Sequence, residues 1–200
     1  MKGTVYFIHR LGTAVSMATS KTGSFYLTET ALLPAASAAG TRVQATIDLG
    51  AYVNVPTGQA IAVESVDFIY QTADGNGAAD ELLAAGNNGA IAAQLTDLNP
   101  GTTLLIADDQ SLIASGVLNC NGTNSIASHT SDLYPDNFGP AAMSEAFMVV
   151  NDTLYLVSGN NSAAIGAQNV SVTARVRCRV VKLAQKDWMA IAIQSTASDN

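Results

Sequence analysis

Three arginines at alternate positions, Arg175, Arg177 and Arg179, form the densest chemistry-bearing pattern in this 200-residue sequence. Successive side chains of a strand point to opposite faces, so an extended chain projects all three from one side. With Lys182 just beyond them they make a cationic stripe able to engage several phosphates, in binding that salt would weaken steeply. Apart from Trp188 no aromatic stacking platform lies beside the stripe, which argues against base-specific or single-strand recognition. Trp188 itself reads as core or interface packing.

The other reactive residues do not assemble into a centre. His9 and His129 lack the spacing of a zinc site. No serine sits in a Gly-x-Ser-x-Gly elbow, and no Walker loop is present. Gly75-Asn76-Gly77 lacks the third glycine of a dinucleotide loop. Lys21-Thr22-Gly23 matches a fragment of the penicillin-binding signature but has no Ser-x-x-Lys before it. Asp74, Asn76, Asp80 and Glu81 offer oxygens to calcium but fail the EF-hand pattern, and read instead as a loop capping a helix. Adjacent Asp108 and Asp109 point apart on a strand end and read as turn acids. Cys120 and Cys178 do not make a disulfide framework, and Cys178 reads as a small buried hydrophobe. Asn121, Asn151, Asn160 and Asn169 open Asn-x-Ser/Thr triplets at about the frequency chance gives in so Asn-, Ser- and Thr-rich a chain. The reading is of a protein that is not an enzyme, with no catalytic residues, cofactor, metal or small-molecule substrate.

Charged residues make up 12% of the chain, half the usual share, so its surface is either polar and neutral or covered by other chains. The net charge of −7 is unevenly spread. Eight of the nine basic residues lie in 1–28 (Lys2, Arg10, Lys21) and 170–186 (Arg175, Arg177, Arg179, Lys182, Lys186), where there is no acid before Asp187. Residues 29–169 set Arg42 against fourteen acids. This asymmetry suggests two neighbours for two surfaces. The alternative is that the basic strand pairs with acidic strands beside it in its own sheet. No stretch is long and apolar enough to span a membrane, and His9 and Arg10 interrupt the N-terminal apolar run, which makes a poor signal peptide.

The elements that must hold the stripe are strands. Val170, Val172, Ala174, Val176, Cys178 and Val180 alternate with the arginines, so a one-residue slip would bury guanidiniums and the register is fixed. Residues 42–55 alternate through seven apolar positions from Val43 to Val55, with Gly50 marking a bend. In residues 60–71 the phase shifts from Ile61 and Val63 to Val66, Phe68 and Tyr70, which predicts a bulge. Pro56-Thr57-Gly58 is turn chemistry between these two strands. Residues 25–33 look extended, and further strands are predicted at 90–98, 103–107, 112–118, 146–158 and 188–194. A short helix is expected at 78–85, and a long irregular segment at 119–145. Eight strands from residue 42 onward predict an all-β fold, an eight-stranded antiparallel jelly-roll sandwich with an N-terminal arm and one short helix. Residues 1–40 are the arm and first extended segment, and 41–200 the sandwich domain.

In strand count, a basic N-terminal stretch, long loops and a neutral small-residue surface, the chain resembles single jelly-roll major capsid proteins of icosahedral viruses. The resemblance covers roughly residues 42–195 and rests on architecture rather than on a motif. It implies a self-assembling structural subunit of a virion, made in the host cytoplasm, whose partners are further copies of itself and other capsid proteins. Lys2, Arg10 and Lys21 would be arm contacts. Arg175, Arg177, Arg179 and Lys182 would form an inner or intersubunit face toward neighbours, nucleic acid or an inner membrane. Three basic residues are few for a genome-binding tail. The runner-up is a carbohydrate-binding or adhesive β-sandwich of a virion fibre or tail, which calls for an exposed aromatic cluster.

Overall fold

The computed structural model describes residues 19–75, 79–124, 126–133 and 146–197. They form ten strands: β1 (Thr19–Ser20), β2 (Phe25–Leu33), β3 (Arg42–Asp48), β4 (Gln59–Thr72), β5 (Asn88–Thr96), β6 (Leu112–Asn121), β7 (Ile126–Leu133), β8 (Phe147–Val149), β9 (Thr153–Asn161) and β10 (Val170–Lys182). Two helices, α1 (Ala79–Leu82) and α2 (Gln185–Ala197), and a 3-10 turn at Val55–Thr57 accompany them.

The strands make two sheets, every neighbouring pair antiparallel. In the first, β10 lies between β4 and β2, with β1 beside its end and β8 beyond β4; the second runs β3–β9–β5–β6–β7. The chain crosses between layers at β2 to β3, β3 to β4 and β4 to β5, stays for the β5–β6 hairpin, and later crosses again at β8 to β9 and β9 to β10. Two four-stranded layers, β2–β10–β4–β8 and β3–β9–β5–β6, wound in this order are a jelly roll. β7 extends the second sheet.

The crossings follow local chemistry. Asp48 Oδ1 accepts from Gly50 N, and the amides of Tyr52 and Val53 fold back onto the Leu49 carbonyl, so the alternation predicted over 42–55 stops as a strand at Asp48. Asn54 caps the 3-10 turn and Gly58 ends it at φ 68. There Gly58 and Leu183 join by the Leu183 N–H to the Gly58 carbonyl, and a Cβ on Gly58 would stand 2.5 Å from the Leu183 oxygen.

Between the sheets lie Leu33, Ile61, Phe147, Leu95, Leu154, Leu156, Val172 and Val176, all fully buried. Each contributes about 1.5–3 kcal/mol by leaving water. Gly116 leaves room for Phe68, whose ring would be 2.6 Å from an added Cβ.

Several expectations are corrected. Residues 188–194 are helix, not strand: Trp188, Ile191 and Ala192, at i, i+3 and i+4, seat α2 on Ala60, Ala62, Met148, Val181 and Leu183, a second apolar cluster on the outside of the first sheet. A short apolar run fits either period, and Asp187, in the first turn of α2, is the helix signal. Among the described residues the sandwich thus carries two helices rather than one; of the predicted 78–85 helix, 79–82 is helical, 83–85 is not, and residue 78 lies outside the described residues. Residues 103–107 are not a strand but part of the connection from β5 to β6. Within the expected irregular segment, β7 pairs with β6 along its full length. Residues 134–145 of that segment, like 1–18 of the arm, lie outside the described residues.

Candidate assembly face

On β10 the apolar positions are buried, while Arg175 and Arg177 are exposed and Arg179 half-buried, as the alternation requires. This outer face of the first sheet has two parts. α2 covers one end, and the arginines occupy the rest with the outward residues of β2 and β4.

The phase shift in β4 is a bulge. Arg177 pairs with Ser65 and Cys178 with Val63, so Glu64 is the extra residue. The bulge turns Glu64 toward β10, where its Oε2 lies 3.1 Å from Arg177 Nε and its Oε1 2.9 Å from Arg179 Nε. The Arg179 contact is ionic without hydrogen-bond alignment. Ser24 Oγ donates to the same Oε2 at 2.8 Å. One carboxylate therefore ties the β1–β2 connection, β4 and β10 together. The alternative that the basic strand is neutralised within its own sheet holds for Arg177 and Arg179.

Arg175 differs. Asp67 is its register partner on β4, yet its guanidinium carbon sits 4.9 Å from the centre of the Tyr26 ring on β2, a cation–π contact. Tyr26 is 52% exposed. Alongside, the hydroxyls of Thr30 and Thr173 meet at 2.8 Å.

The other predicted residues are placed separately. Lys182 has the parity of Val180, opposite to the arginines, and lines a groove of about 710 Å³ with Val55, Pro56, Trp188 and Met189. Lys21 is brought to the same strand: its amide donates to the Val180 carbonyl, and Thr22 Oγ1 accepts from Val180 N, filling the ladder where β1 and β2 are interrupted. Lys2 and Arg10 lie outside the described residues. Sequence reasoning missed Tyr26 and Glu64. The alternation of 25–33 and an acid at the pivot of the β4 phase shift were the signals for them.

α2 adds a second outward feature. Lys186, Met189, Ala190 and Ile193, at i, i+3, i+4 and i+7, form its exposed side, with Met189 52% and Ile193 63% exposed. A helix apolar on opposite sides is the pattern of one buried on both.

Both cysteines are free and buried, in opposite sheets. Burial, with Glu64 nearby as the smaller cause, pushes the Cys178 thiol up to about 12, and burial raises Cys120 too, so neither is a ready nucleophile. His129 sits edge-on to the Tyr70 ring, centroids 5.5 Å apart. Asp109 Oδ1 accepts from the amide and hydroxyl of Ser111, as a turn acid does. Among the described residues no group of three or more His, Cys, Asp or Glu is placed to hold a metal ion, and no helix is long and apolar enough to cross a membrane.

No protein-family model and no curated protein matches the sequence. Among solved structures the chain is similar to Desmodium yellow mottle tymovirus, at 8% identity over 81% of this chain and 89% of that one, TM-score 0.34. It is similar to the VP1 protein of Trichodysplasia spinulosa-associated polyomavirus, in complex with sialylated glycooligomers, at 8% identity over 84% and 99%, TM-score 0.39. It is also similar to tomato aspermy virus, at 12% identity over 84% and 85%, TM-score 0.32. These neighbours are viral capsid proteins. At such TM-scores the likeness carries no argument, and the jelly-roll assignment rests on the strand order.

Proposed function

We propose that the chain is the structural subunit of a protein shell, a capsid, that assembles from copies of itself into an icosahedral virion after synthesis in the host cytoplasm. The observation that carries this reading is the exposed apolar side of α2. Met189, Ala190 and Ile193 lie on the side of α2 away from the sheet on which the helix is seated, and an exposed apolar stripe of this kind marks an interaction surface. The Tyr26–Arg175 stack on the same outer face supplies residue types that anchor protein interfaces. Closed rotational symmetry would repeat such a contact around a shell.

The arginine face suits a neighbouring subunit better than a nucleic acid or a membrane. Glu64 holds two of the three guanidiniums, which leaves little uncompensated charge for phosphates. The adhesive alternative calls for exposed aromatic residues, and among the described residues Tyr26 is the one aromatic in the exposed large apolar set.

Light scattering after size exclusion, with electron microscopy of the same fractions, tests the reading. Wild-type protein forms particles or defined capsomers, and the double variant Met189→Asp, Ile193→Asp remains a folded monomer by circular dichroism. A wild-type chain that stays monomeric at high concentration rejects the shell role.

A further inference from the structure

The connection from β5 to β6 lies back over the outer face of the second sheet, and two glutamines hold it there. Gln94 Nε2 donates to the Leu105 carbonyl at 2.8 Å, and Leu105 N donates to Gln94 Oε1 at 2.6 Å. Gln44 Nε2 donates to Asn99 Oδ1 at 2.9 Å and to the Gly101 carbonyl. Gln44 and Gln94 flank Val157 of β9 in one cross-strand row, and Val157, whose strand neighbours Leu154 and Leu156 join the inner core, is fully buried.

At the root of this connection stands Asp97, 1% exposed, with neither carboxyl oxygen hydrogen-bonded. The donors around it serve other acceptors. Thr96 Oγ1 donates to the Leu98 carbonyl, the Ser111 amide and hydroxyl donate to Asp109, and Asn151 Nδ2 donates to the Asp97 carbonyl at 2.9 Å. Among the described residues the ionisable groups on the surrounding elements are the carboxyls of Asp48 at the end of β3, Asp108 and Asp109 in the connection and Asp152 in the β8–β9 turn, and the phenol of Tyr155 on β9, whose register partner is Thr96. No lysine or arginine occurs between Arg42 and Arg175. Arg42 holds the Thr41 and Asn160 carbonyls at the far end of β3, about 20 Å away by strand rise. His129 pairs with Leu118, which pairs with Ile91, a similar distance back along β5. A buried carboxylate without donor or cation is costly, so the site favours the neutral acid.

We propose that residues 98–110 are a proton-latched cover on the second sheet, shut while Asp97 carries its proton and lifted when the proton is lost to water. Lifting would bare Val157 and the two glutamine amides. Burial raises the Asp97 pKa to about 7 from 3.8; its own backbone N–H, which makes its hydrogen bond to the Ser111 carbonyl rather than to the carboxyl, opposes the rise, and Asp109 adds to it. An open cover returns the carboxyl to its ordinary value. Opening therefore increases from about pH 4 to about pH 7 and levels off above.

Hydrogen exchange by mass spectrometry, corrected for intrinsic rates, on peptides covering 97–111 tests this. From pH 5 to pH 7.5 the opening constant of 98–110 is expected to rise on the order of fifty- to a hundredfold. Asp97→Asn should keep the cover protected at both pH values. Asp109→Asn, which removes the like charge and not the latch, should retain the pH dependence with a lower midpoint. Protection that ignores pH in the wild type, or a pH response that survives Asp97→Asn, overturns the proposal. So does full protection of the wild type at pH 7.5 on adding calcium chloride, which would assign the site to a cation.

Discussion

Arg175 rests on the ring of Tyr26, 4.9 Å from its centre, across the pair of strands that joins the start of the described fold to its end. Both side chains face outward, and the stack presents a flat surface to whatever lies beyond the sheet. Arg175→Ala is expected to leave stability within about 0.5 kcal/mol of wild type. Loss of an interface anchor should weaken self-association at least about tenfold, some 1–2 kcal/mol, measured by sedimentation equilibrium. Unchanged association would remove this pair from the interface.

Glu64 restrains two arginines from the bulge of β4. Glu64→Gln keeps the size and loses the charge, at a cost of about 1 kcal/mol in urea unfolding. With two guanidiniums released, heparin retention should rise and its salt dependence steepen by about two charges. No change in retention would show that Glu64 does not mask the stripe.

The Asp97 proton also bears on global stability. Its native pKa, about 7, lies above the unfolded 3.8, so between these values the native state holds the extra proton and stability falls as pH rises. About three units at 1.36 kcal/mol each set a ceiling of about 4 kcal/mol, present in full below about pH 4 and gone above about pH 7. Urea midpoints of Asp97→Asn should be nearly flat over that range and exceed wild type at pH 7.5.

Gly58 combines φ 68 with close approach to the Leu183 carbonyl. Gly58→Ala should cost about 2–4 kcal/mol, from the left-handed backbone and from displacement of the segment entering α2. A loss under about 1 kcal/mol would mean that the turn and Leu183 separate freely.

What was readable in the sequence was what alternation controls. β10 and the two faces it separates follow from valines and arginines at period two, and the β4 bulge from one break in that period. α2 was hidden because Trp188, Met189, Ile191 and Ile193 satisfy an alternating pattern as well as a helical one, and the deciding partners, Ala60, Ala62 and Met148, lie on strands far off in sequence. Tyr26 and Glu64 were hidden for the same reason. Their roles depend on register between distant strands, which no local window contains.

Among the described residues β2 pairs only with β10, and the pairing of Leu33 with Val170 spans 137 positions. On a ribosome β2 therefore emerges with the edge that β10 will pair left bare until β10 has been made. Closing so wide a loop is slow, and an unpaired strand is prone to join the wrong chain while it waits. Glu29, whose parity on β2 is that of the inward-facing residues, places a charge on that edge and discourages such mispairing during synthesis.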